Sequence, residues 1–131
     1  MTDQRNSQVL LHARLQQADT AFEAGQLLRE SGFYSDCVNR FYYSMFYAVM
    51  ALLITQQLGT SKHKGAISLF DREFVKPGIF PKEMSVWLHS IFEQRLEADY
   101  ADLSKVTHER AIEIESQADS FIQAVKKHVS A

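Results

Sequence analysis

Apolar residues along this chain recur three and four apart, the spacing that lines one side of an α-helix. Leu11, Leu15, Ala18, Phe22 and Leu28 make one such stripe, which predicts a helix over about 6–30 with Gly32 as its C-terminal cap. A second helix is predicted from about Asp36 to Gln57, with Ser35 as N-cap and Gly59 as the stop. Its pattern is unusual, because nearly every side is apolar. One face carries Val38, Phe41, Val49 and Leu52, and the opposite face carries Arg40, Tyr43, Tyr47, Met50 and Ile54. Such a helix is central to a bundle, or it faces core on one side and a partner on the other.

The segment TSKHKG, 60–65, reads as a turn into a shorter helix over about 63–74, which Pro77 and Gly78 end. Pro81 suits the first turn of a fourth helix reaching Asp99. Thr107 is a good N-cap for a last helix, with Ala111, Ile114, Ala118, Phe121, Ile122 and Val125 on one side. Lys126, Lys127 and His128 fall in its last turn and complement the helix dipole. No segment alternates as a strand does, and no Asn-Gly or Asp-Gly hairpin turn occurs. The expected fold is all-α: an antiparallel up-and-down bundle of four long helices and one short one, forming a single domain over 1–131.

Composition adds limits. The 14 basic and 16 acidic residues leave a net charge of −2, so tight nonspecific grip on a nucleic-acid backbone is not implied. A transient RNA substrate stays open. The single cysteine, Cys37, has no partner for an internal disulfide or a zinc site and reads as a small core residue in a reducing compartment. The polar N-terminus has no signal core, and the longest apolar run, near 45–54, is short of the ~20 residues that span a bilayer. A soluble cytoplasmic protein without membrane contact is expected.

One charge breaks the pattern. On the fourth helix, Met84, Leu88, Ile91 and Phe92 define the apolar face, and Arg95 and Asp99 fall within about 20° of Leu88 at 100° per residue. Four apart, they can pair. Either the pair closes the end of the bundle, or the bundle opens there and Arg95 lines a cleft. An arginine holds its proton, so its natural work is to bind a carboxylate or phosphate. Arg40, Tyr43 and Tyr47 share a face at successive turns of the second helix. They either pack, with Arg40 paired to Asp36 or Asp99, or stack on a base while Arg40 holds a phosphate, or form a dimer surface. Among the histidines, His63 stands between Lys62 and Lys64, a group able to meet a phosphate. His108 opens the last helix, His89 borders an apolar face, and His12 and His128 read as surface residues. No pair has a convincing metal spacing, so no metal and no other cofactor are expected.

The segments NRFYYSMFYAVMALL, 39–53, SKHKGAISLFDREFVK, 61–76, and RLEADY, 95–100, together resemble the HEPN superfamily, in particular its small stand-alone bacterial and archaeal branch. The resemblance spans roughly residues 15–125. It implies an up-and-down helical bundle, commonly dimeric. It also implies a role of toxin–antitoxin or defence type, in many members as a metal-independent endoribonuclease beside a small nucleotidyltransferase antitoxin. Active members carry an arginine followed, after four to six residues, by a histidine, and two such motifs meet in the dimer cleft. The arginine handles the RNA phosphate, and the histidine moves a proton. Arg95 matches the arginine, but Tyr100 stands after four intervening residues and Asp102 after six. The resemblance gives Arg95 the arginine's catalytic role; Tyr100 stands in the place of the histidine, and His63, in the SKHKG turn of the matching segments, is the candidate substitute for it. Arg40, Tyr43, Tyr47, Lys62, Lys64 and Asp99 are the binding set. The alternative is a HEPN dimer without hydrolytic power that binds a nucleotide or a nucleotidyltransferase. In some toxin pairs the partner adds AMP to a tyrosine beside the motif, and Tyr100 loosely matches that acceptor.

Overall fold

The computed structural model describes residues 2–60, 62–99 and 105–131. Five helices occur among them: α1 Thr2–Glu30, α2 Tyr34–Thr55, α3 His63–Phe70, α4 Lys82–Asp99 and α5 His108–Ser130. They form the expected all-α antiparallel bundle. A single π turn, Asp71–Val75, extends α3, and the Lys76 amide donates to the Asp71 carbonyl at 2.8 Å. The five-residue step widens the helix just before Pro77 ends it.

The α1–α2 corner follows from Gly32. At φ 86° it takes the left-handed conformation, its amide donates to Arg29 O at 3.0 Å, and the Phe33 amide donates to Leu28 O at 2.8 Å. Those two bonds satisfy carbonyls that the helix end would otherwise orphan. Because this turn already fixes the chain at Phe33, α2 begins at Tyr34, and Ser35 is not its cap. Thr107 does cap α5, its hydroxyl accepting from the Arg110 amide at 3.1 Å.

Helix α2 is the central element and packs against the other four. Val38, Phe41, Met45, Val49 and Leu52 are fully or almost fully buried, while Arg40, Tyr43, Tyr47, Met50 and Ile54 are half-buried. By length and composition alone α2 could cross a membrane, yet 67% of that window is buried inside the bundle. Its apolarity is that of a core helix. The buried Ser44 hydroxyl is satisfied within the helix by the Phe41 carbonyl at 2.6 Å. Polar links fasten the outer helices: Arg29 and Gln26 of α1 both bond Glu115 of α5, and Lys126 reaches Asp19 at 2.6 Å. Lys126 thus ties α5 to α1 rather than serving only the helix dipole. Arg110 spans from α5 to Gln94 at 2.8 Å and Ser90 at 3.1 Å on α4.

At Gly25, α1 packs directly against Phe41 of α2. A Cβ there would lie 2.6 Å from the Phe41 ring. Alanine would gain about 1 kcal/mol of helix propensity, but overpacking against a fully buried ring costs about 1–3 kcal/mol. Gly25→Ala is therefore expected to lower the urea midpoint at unchanged slope, a result an equilibrium melt reads directly.

Candidate functional site

The site grows from the middle of α2. Tyr42 is fully buried, so its hydroxyl needs a partner or it costs ~1–3 kcal/mol. That partner is His63 at the start of α3, with Oη and Nδ1 2.7 Å apart. Burial pushes the phenol far above the ordinary tyrosine range, with the Arg95 charge opposing only in part. Tyr42 therefore stays a neutral hydroxyl that can donate to Nδ1 or accept from it. Unlike a carboxylate, it supports both neutral tautomers of His63. Phe46, one turn on from Tyr42, stacks on the imidazole with centroids 4.2 Å apart and planes inclined by 15°. Tyr43 meets the imidazole edge-on at 5.5 Å. Three rings and one hydrogen bond thus fix where His63 stands.

Arg95 enters the same cage from α4. Its guanidinium carbon lies 5.0 Å from the Tyr42 ring centroid, 5.5 Å from Phe92 and 5.7 Å from Tyr43. These are cation–π distances, and the rings hold the planar group without neutralising it. Desolvation lowers the His63 pKa below the usual imidazole value, and the Arg95 charge lowers it further. At pH 7 the pair is thus one permanent cation beside one neutral imidazole. A phosphate arriving beside the pair would favour the protonated imidazole and let it take a proton more readily.

Arg95, His63 and Tyr43 are brought together as neighbours. Arg40 and Tyr47 adjoin them through Tyr43: the Arg40 guanidinium carbon is 5.1 Å from its ring centroid, and Tyr47 lies 6.0 Å from it between centroids. Arg40 does not pair with Asp36. Its Nε and Nη2 both donate to the neighbouring Asn39 amide oxygen, at 3.2 and 3.0 Å. Lys62 and Lys64 flank His63 and are exposed. Tyr100 and the Asp99 side chain lie outside what is described. Tyr42 and Phe46 were not singled out from sequence, and Phe92 only as part of the apolar face of the fourth helix. The usable signal was the i, i+4 pair Tyr42–Phe46 within FYYSMFY, which shares an edge with Tyr43.

The other histidines stand elsewhere. His89 Nε2 is 2.7 Å from Asp71 Oδ2, and His108 lies edge-on to Tyr34 at 5.6 Å. His128 is half-buried against Phe74 and Phe80, at 6.1 and 5.3 Å, and is not a simple surface residue. Among the described residues no group of His, Cys, Asp and Glu could hold a metal ion. Cys37 is buried and donates to the Tyr34 carbonyl, and burial pushes its thiol up to about 11. That protonation makes it a poor nucleophile.

A half-buried arginine and a neutral histidine share one aromatic cage where three helices of the bundle meet. Residues 11–128 match the model of the family described as HEPN domain. A Methanocaldococcus jannaschii protein named "Putative toxin" is 32% identical over 119 residues, covering 91% of this chain and 81% of that one. A Thermotoga maritima protein named "UPF0332 protein" is 38% identical over 105 residues, covering 80% and 79% respectively. The chain belongs to the HEPN family.

Proposed function

We propose that this chain is a HEPN protein of toxin type that cleaves RNA without a metal, with Arg95 and His63 as its working pair. The supporting observation is the placement of His63, neutral and ring-held, in the same cage as Arg95. The toxin role follows the names of two Methanocaldococcus jannaschii relatives. In the proposed reaction His63 takes the proton from a ribose 2′-hydroxyl, and the freed oxygen attacks the adjacent phosphorus. The bond to the 5′-oxygen breaks, leaving a 2′,3′-cyclic phosphate, and a proton goes to the departing 5′-oxygen. Arg95 stabilises the charge that builds on the phosphate oxygens. Tyr100, as a phenol with a reference pKa of ~10, suits the donor side of that exchange better than the base side. The working unit is a cytoplasmic homodimer with two sites on one cleft, held in check by a small nucleotidyltransferase partner.

The deciding experiment is incubation of the purified protein with varied single-stranded RNAs in EDTA. The expected products carry 2′,3′-cyclic phosphate ends. An inert wild type beside an active Tyr100→His variant would instead favour a cleft that binds a nucleotide or partner without cutting.

A further inference from the structure

A second feature involves Arg40 and Tyr47, about one turn before and after Tyr43 on α2. Between α1 and α2 runs a groove of about 430 Å³ lined by Gln16, Gln17, Thr20 and Ala24 from one helix and by Arg40 and Tyr47 from the other. The size suits one nucleotide better than a larger ligand. Its chemistry is also specific. Tyr47 offers a half-buried ring at the groove wall. Arg40 has no carboxylate partner among the described residues, because both of its bonded nitrogens go to the neutral Asn39 amide. The exposed side chains of Gln16, Gln17 and Thr20 bring amide and hydroxyl groups to the opposite wall, the groups that read base edges.

We infer that this α1–α2 groove is a base-binding subsite for a nucleotide neighbouring the cleavage point of a single RNA strand. In it the base stacks on Tyr47, and the adjoining phosphate rests on Arg40. The inference rests on the proposed cleavage site for its direction, since continuity is what selects a strand over a free nucleotide. The guanidiniums of Arg95 and Arg40 both reach the same Tyr43 ring, at 5.7 and 5.1 Å. Successive phosphates of one strand can therefore meet them in turn. Base–aromatic stacking and one phosphate contact together recur wherever proteins hold single strands. A subsite of this kind also selects RNA by context in a protein whose net charge of −2 supplies no general attraction.

The test is binding of a fluorescein-labelled octaribonucleotide whose 2′-hydroxyls are methylated, so that affinity is read apart from cleavage. Thr20→Leu, which fills the groove from α1, and Tyr47→Ala are each expected to weaken binding about tenfold, within the range measured for stacked bases. Tyr47→Phe should keep the affinity, and Arg40→Gln should lower both the affinity and its salt dependence. Unchanged affinity in both Thr20→Leu and Tyr47→Ala overturns the subsite even if the wild type cuts RNA. Displacement of the strand by micromolar AMP or UMP assigns the groove to a free nucleotide and overturns the strand reading. An inert wild type whose affinity still depends on Thr20 and Tyr47 removes the cleavage reading and leaves the subsite standing.

Discussion

Replacing His63 with glutamine is expected to lower the rate of RNA cleavage about 10²- to 10⁴-fold, the usual contribution of a positioned acid–base group. Glutamine is the informative choice. Its amide can still bond the Tyr42 hydroxyl, which the wild type holds at 2.7 Å, so the buried phenol is not orphaned. The loss then reports proton transfer rather than unfolding, and an unchanged far-UV melt checks this. The pH profile sharpens the prediction. Desolvation and Arg95 hold the His63 pKa below its ordinary value of 6.5. The base form therefore dominates at neutral pH, and activity should persist to lower pH than an unperturbed imidazole would allow. It should fall only as pH drops through the lowered folded pKa, because protonation removes the base. That acid limb should vanish from the residual activity of His63→Gln. Equal rates for the variant and the wild type would remove His63 from the mechanism.

The bundle was legible because burial and helical period agreed nearly everywhere. Every residue assigned to the apolar side of α5, from Ala111 to Val125, is buried, and so are Met84, Leu88 and Ile91 on α4. Where one side chain must choose between two local roles, sequence reading was weaker. Ser35 is a good cap by type, but the Gly32 turn placed the start of α2 two residues earlier. Arg40 had Asp36 as an acidic candidate one turn away and bonds the adjacent Asn39 amide instead. The π turn left no mark that periodicity could detect, because one five-residue step barely alters a helical pattern.

The site shows the same division. Arg95 was visible as a charge in the middle of an apolar face, a violation that points to function or strain. His63 stood out among five histidines only by its two flanking lysines and its place in the SKHKG segment. What joined the two residues could not be read along the chain, since α2, α3 and α4 meet there through tertiary packing. Tyr42 is the link, touching both His63 and Arg95. It escaped notice because a buried tyrosine in an apolar helix looks like core until its hydroxyl partner is known.

Arg95→Ala is expected to reduce cleavage about 10²- to 10³-fold, comparable to removing one oriented donor from a developing anion. It should also flatten the salt dependence of RNA binding by about one unit of slope, as for the loss of one phosphate contact. Arg95→Lys separates charge from shape. Lysine keeps the cation but not the planar group that lies 5.0–5.7 Å from three ring centroids, so it should restore the salt slope while recovering only part of the rate. The coupling to His63 gives an independent readout. The Arg95 charge helps hold the His63 pKa down, and removing it should raise the imidazole titration midpoint seen by NMR toward 6.5. The shift should be partial, because desolvation is the larger cause and persists in the variant. An unmoved midpoint would mean that the two groups do not sense one another, and the working pair would then have to be sought elsewhere in the cleft.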